Sequence, residues 1–180
     1  IVACAAESER VTSGSFHADN VGPCVLGGFT VIRCYEPLEL KKITPPKNLG
    51  VVVVMPSFTV KTLDARTVIP KQVKLSDMIY EVGNASSLVL GMCSGDVDLI
   101  GKSMTDIVVE PSRSKLNPGL MDAKKAAIEA GAAGSFLGGS GPCVIAIFDN
   151  SLTDGKPILD AMLDSYKRAN IAVDKTWITT

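Results

Sequence analysis

Three side chains able to exchange protons or hydrogen bonds with a ligand, His17, Asp19 and Asn20, fall within four consecutive positions of a 180-residue chain. His17 is the only histidine. They precede Val21-Gly22-Pro23-Cys24-Val25-Leu26-Gly27-Gly28, a pattern that predicts a loop with a Gly-Pro turn, held by a buried strand from Gly28 to Arg33. Residue type alone does not make a site of them. A lone histidine beside apolar residues is more often packed than catalytic, and Asp and Asn form turns by bonding nearby backbone. Arg66, in Thr62-Leu63-Asp64-Ala65-Arg66, and Arg113, in Val109-Glu110-Pro111-Ser112-Arg113, add two guanidinium forks. Such a fork holds a carboxylate or phosphate through two parallel hydrogen bonds. In isolation, each arginine is more often a surface residue.

The run Gly138-Gly139-Ser140-Gly141-Pro142 resembles a phosphate-binding fingerprint only in composition. A dinucleotide loop follows a strand and opens a helix. This run instead precedes an apolar strand pattern from Cys143 to Phe148, so a hairpin loop is expected. No GxxxxGK[ST] segment occurs.

Composition narrows the classes. Hydrophobic residues make up 46% and charged residues 21%, the proportions of a globular protein with one or two cores. A formal net charge of -1 gives no electrostatic footprint for nucleic acid or an anionic membrane. The apolar runs Val51 to Pro56 and Pro142 to Phe148 fall far short of the roughly 20 residues of a membrane span. The short apolar start, Ile1 to Ala6, lacks the basic leader of a signal peptide. Five scattered cysteines without a CxxC pair read as reduced thiols of a cytosol-like compartment.

The elements that must position these groups follow from periodicity and punctuation. A helix end is expected over Ile1 to Ser8, and strands over Phe29 to Cys34 and Leu38 to Ile43 around Glu36-Pro37. Pro45-Pro46 marks a linker, which separates a domain over residues 1–47 from one over 48–180. Leu49 to Met55 is a continuous apolar run, predicted as a strand buried on both faces. A short helix is expected over Thr62 to Val68. A longer one, capped by Ser76, would bury Met78, Ile79, Val82, Ala85, Val89 and Leu90. Further helices are predicted from Val97 to Met104, from a cap at Asn117-Pro118 through Ala130, and after Asp154. Strands over Ala133 to Leu137, Cys143 to Phe148 and Val173 to Ile178 complete a split βαβ order, an α+β fold of ferredoxin-like plan.

The motif HADNVGPCVLGGF from His17, with YEPLEL from Tyr35, TLDAR from Thr62, VEPSR from Val109 and GGSGP from Gly138, resembles the homoserine kinases of the GHMP kinase superfamily in order and in gaps. The resemblance implies the end of a ribosomal-S5-like domain followed by a ferredoxin-like C-terminal domain. It implies ATP-dependent phosphorylation of L-homoserine with Mg²⁺, in a homodimer of the cytoplasm or a plastid stroma. Arg66 and Arg113, with Thr62 nearby, would hold the amino acid's carboxylate. His17, Asp19 and Asn20 would border the same substrate, Asp19 and Asn20 orienting its reacting end. Gly139, Ser140 and Gly141 would approach it through backbone; Gly138 stands where the family usually has serine. Glu9, or Glu7, would be the metal-linked carboxylate. The family's phosphate-binding loop is expected upstream of residue 1, so that these 180 residues by themselves would be inactive. The alternatives are a non-catalytic amino-acid-binding or interaction module and a GHMP kinase with another acceptor.

Overall fold

The computed structural model describes residues 1–13 and 16–180, without the side chains of residues 9–13. The chain divides into two compact units, Ile1–Pro46 and Lys47–Thr180. The division falls at the proline pair, where no residue can continue a helix or a ladder.

In the first unit, helices α1 (Val2–Ser13) and α2 (Val21–Leu26) accompany a hairpin of β1 (Phe29–Tyr35) and β2 (Leu38–Ile43). The strands pair antiparallel from Phe29↔Ile43 to Tyr35↔Leu38, with an irregularity at Arg33. From there the Arg33 guanidinium grips the Glu39 carboxylate through Nε and Nη2. Two expectations are corrected. Gly22-Pro23 does not turn the chain but lies inside α2, where proline is tolerated because first-turn N–H groups have no intrahelical acceptor. Strand β1 is half-buried or exposed along its length rather than buried, since within this unit it is half of a two-stranded ribbon.

The second unit is built on an antiparallel sheet of β3 (Leu49–Pro56), β4 (Gly134–Leu137), β5 (Val144–Asp149) and β6 (Val173–Thr179), in the order β4-β5-β3-β6. The first strand thus lies between the third and fourth, as the split βαβ plan requires. Helices α7 (Leu120–Glu129) and α8 (Lys156–Arg168) bury Leu120, Ala123, Ile158, Met162 and Tyr166 against Val52, Val54 and Phe148. Helix α5 (Val97–Lys102) meets β4 and β5. A Cβ on Gly101 or on Gly134 would run into the other's backbone segment, so glycine at both sets this close approach. Strand β3 is not buried on both faces. Val52 and Val54 are fully buried, whereas Val51 and Val53 are half-buried.

Helix α4 (Leu75–Ser94) departs furthest from its expected burial. Its apolar stripe should face a core, yet Met78, Ile79 and Val82 are each more than half exposed. Helix starts differ as well. Lys74, not Ser76, precedes α4, and Gly119, not Asn117, precedes α7. Gly155 precedes α8, with Asp154 accepting from the Lys156 N–H one position earlier than a cap. Among the described residues, no helix is long and apolar enough to cross a membrane.

Candidate active site

Within the second unit the candidate residues gather around a helix of only four residues, α6 (Glu110–Arg113), continued by a 3₁₀ turn at Ser114–Leu116. A helix this short has no stability of its own and must be held from outside. The Asp106 carboxylate accepts from the backbone N–H groups of Val108, Val109 and Glu110 at 2.7–3.0 Å, which caps its start. Helix α4 holds the same approach segment, Glu81 accepting from the Ile107 N–H and Asn84 donating to the Thr105 carbonyl.

Three side chains then reach from this segment to the loop between β4 and β5. Glu110 Oε2 accepts from the Leu137 N–H at 3.0 Å, where β4 runs into the loop. Arg113 Nη1 donates to the Gly139 carbonyl at 2.9 Å, and its Nε makes a longer bond of 3.4 Å to the Ala65 carbonyl. The Asn117 side chain lies beneath Gly141, whose missing Cβ leaves the room it occupies. Glu110, Arg113 and Asn117 are three and then four residues apart, the spacing of one helical face. They meet Leu137 at the end of β4 and Gly139 and Gly141 in the loop, three alternate residues.

The loop is a tight hairpin, closed by Gly138 N–H to Cys143 carbonyl at 2.8 Å and by Gly141 N–H to Gly138 carbonyl at 3.0 Å. Gly141 (φ +94°) and Gly139 (φ +59°) both take left-handed backbone. Ser140 and Gly141 are half-buried and Gly139 exposed. Burial raises the pKa of the neighbouring Cys143 thiol.

Helix α3 (Thr62–Thr67) supplies Thr62, exposed in its first turn, and Arg66, half-buried in its last. Its buried Ala65 carries the carbonyl that Arg113 reaches. TLDAR, VEPSR and GGSGP, distant in sequence, are thus tied by one guanidinium. That group has five N–H donors. Among the described residues two are used on backbone, which leaves three to meet a carboxylate.

His17, Asp19 and Asn20 belong to the first unit. Asp19 and Asn20 are exposed in the turn opening α2, and His17 is half-buried beside the fully buried Ala18. The side chain of Glu9 lies outside the described residues. Glu7 is exposed on α1. Among the described residues no three His, Cys, Asp or Glu side chains converge as a metal site.

Sequence reasoning missed Glu110, Lys124, Asp106 and Asn117. The Glu110 carboxylate is buried and paired with Lys124. Fourteen residues separate the partners, and no local pattern announces such a pair. Asp106 did leave a signal, an acidic residue upstream of a proline, which a helix accepts in its first turn. Asn117 Nδ2 donates to the Arg113 carbonyl at 2.8 Å, while its Oδ1 is buried without a partner.

Residues 88–168 match the family model for the C-terminal domain of GHMP kinases. The second unit, an α+β domain, contains these residues and is similar over them to the C-terminal domain of GHMP kinases. Homoserine kinases are among the proteins to which the chain is similar over nearly its whole length. That of Chlorobaculum tepidum is 42% identical across 99% of this chain and 55% of its own length. That of Chloroherpeton thalassium is 39% identical across 95% and 53%. The crystal structure of the homoserine kinase from Cytophaga hutchinsonii superposes with a TM-score of 0.92 at 43% identity, covering 98% of this chain and 55% of that one. The chain thus spans about half the length of the curated relatives it matches.

Proposed function

We propose that the protein carrying this chain transfers the γ-phosphoryl group of ATP, with Mg²⁺, to the side-chain hydroxyl of L-homoserine, giving O-phospho-L-homoserine for threonine synthesis. The observation that carries this reading is the roughly 40% identity to homoserine kinases along nearly the entire chain. The geometry around Arg113 supports it, because a fork with three unspent donors beside a backbone-rich loop suits an amino-acid carboxylate. In this reading Arg66 and Arg113 hold the carboxylate, with Thr62 beside them. Gly139, Ser140 and Gly141 line the amino acid with backbone. The first unit is the end of an S5-like domain, and its His17, Asp19 and Asn20 are proposed substrate contacts.

The bond from the γ-phosphorus to the β,γ-bridging oxygen breaks as the homoserine oxygen bonds to phosphorus. The hydroxyl proton leaves with the phosphoryl oxygens or to solvent. Such transfer depends on positioning and charge neutralisation. No phosphate-cradling motif lies among these 180 residues, so they are proposed to be inactive alone.

The test is ADP release by the protein at its relatives' full length, with MgATP and L-homoserine, beside serine, threonine and mevalonate. Homoserine-dependent turnover that the 180 residues lack is expected. A folded full-length protein that turns over none of these acceptors ends the kinase reading and favours an amino-acid-binding module.

A further inference from the structure

We propose that Glu110 is a positioning residue that sets the glycine loop for amino-acid binding, acting through the Leu137 amide. This rests on the homoserine kinase reading for its substrate, but not for its geometry. Glu110 is 7% exposed, and its two carboxylate oxygens face different elements. Oε1 pairs with Lys124 of α7, and Oε2 accepts from Leu137 N–H at the last residue of β4. The next residue, Gly138, begins the loop.

An isolated buried carboxylate is costly, and a buried ion pair is retained only with further hydrogen bonds to its free lone pairs. Leu137 supplies that bond. Its amide is in turn spoken for by a side chain rather than by a neighbouring strand. The loop is therefore held at its base by Glu110, at its crest by Arg113 and beneath its far side by Asn117. Arg113 must also be free to meet a ligand, and Asn117 only packs beneath Gly141. Glu110 is the one of the three that fixes the loop without facing the amino acid, and a loop freed at its base would carry the Gly139 carbonyl away from Arg113.

A buried pair can be replaced by apolar residues of similar volume without loss of stability, which separates positioning from folding. In the full-length protein, Glu110→Leu with Lys124→Met removes the acceptor for the Leu137 N–H while keeping the site filled. Glu110→Gln with Lys124→Met restores an acceptor oxygen. The apolar pair is expected to melt near the parent protein, to exchange the Leu137 and Gly141 amide protons at least tenfold faster, and to raise the KM for L-homoserine about tenfold. The KM for MgATP should stay within twofold, and the glutamine pair should recover most of both effects. Unchanged exchange and unchanged homoserine KM in the folded apolar pair overturn the proposal. Should that pair not fold, the glutamine pair, which removes the ion pair but keeps an acceptor for the Leu137 N–H, decides. An unchanged homoserine KM supports action through Leu137, and a tenfold rise with Leu137 still protected overturns it. A parent protein without homoserine turnover refutes the kinase reading, while amide exchange still decides the role of Glu110.

Discussion

The Arg113 guanidinium donates to the Gly139 carbonyl at 2.9 Å, although 26 residues separate them in sequence. The same group reaches the Ala65 carbonyl of α3, so a single side chain joins three segments that the sequence marks separately. A planar fork can do this and still offer donors to a carboxylate; a lysine ammonium cannot. In the full-length protein, Arg113→Ala is expected to raise the KM for L-homoserine at least tenfold while that for MgATP changes by less than twofold. Arg113→Lys should recover little. Equal rises in both KM values would show that Arg113 maintains the fold rather than the amino-acid site.

The two loop glycines differ in what surrounds them, and their substitution should differ accordingly. A Cβ on Gly139 meets nothing within 4 Å, so Gly139→Ala carries only the left-handed backbone penalty of about 1 kcal/mol. On Gly141 the same atom collides with the Asn117 side chain, which is 2% exposed and cannot swing away. Gly141→Ala should cost about 3 kcal/mol by combining that penalty with overpacking. Denaturant midpoints of the two variants give the comparison, and equal losses would contradict the contact with Asn117.

The sheet order was legible because β-branched runs, a glycine hairpin and two amphipathic helices fall in one sequence order that the split βαβ plan satisfies. Rejecting Gly138–Pro142 as a helix-opening phosphate loop needed only the strand pattern after it. Periodicity misled at α4. It shows that one face is apolar but not whether anything in the same chain covers it. Valine content misled at β3, since an antiparallel strand needs only one face fully buried. The clamp on the glycine loop was illegible for another reason. Glu110 with Lys124, and Arg113 with Gly139, are tertiary pairs, and nothing in their local sequence distinguishes them from solvated charges. Arg66 and Arg113 stood out as guanidinium forks and took an expected role from family resemblance, whereas the bond from Arg113 to the loop is visible only in three dimensions.

Phe148 is fully buried on β5, and its ring fills the space left by the missing side chains of Gly50 and Gly155. Phe148→Ala should therefore open a cavity and cost about 3–5 kcal/mol. Gly50→Ala drives a methyl group into the same ring and should destabilise by about 1–3 kcal/mol. Thermal unfolding measures both. A Phe148→Ala loss below about 1 kcal/mol would mean that the core beneath β3 and β5 collapses to fill the gap.

The cysteines should report the packing of the loop. Cys4, Cys24 and Cys93 are exposed, whereas Cys143 is half-buried and burial holds its thiol in the protonated form to higher pH. The thiolate is the species that alkylates. Iodoacetamide at pH 8 should modify the three exposed thiols first and Cys143 last, as read by peptide mass mapping. Early modification of Cys143 would show that the hairpin from Gly138 to Cys143 opens readily.

Asp149 ties the end of β5 to the start of β3. Its Oδ1 accepts from the Ser151 hydroxyl at 2.5 Å and N–H at 2.9 Å, and its Oδ2 from Asn48 Nδ2 at 3.0 Å. These bonds, those from Ser151 first, hold its pKa below the ordinary carboxylate range. A carboxylate with a depressed folded-state pKa contributes its full stability above its unfolded value, about 3.9, and loses it as pH falls through the folded value. Protonation forfeits the charge-assisted part of all three bonds. An NMR titration should place the Asp149 midpoint below 3.9, and Asp149→Asn should flatten the dependence of unfolding free energy on pH between about 5 and 2. Parallel pH profiles for the two proteins would show that the carboxylate is solvated in the folded state and that Asn48 and Asn150, through their backbone bond of 2.9 Å, close this corner of the sheet without it.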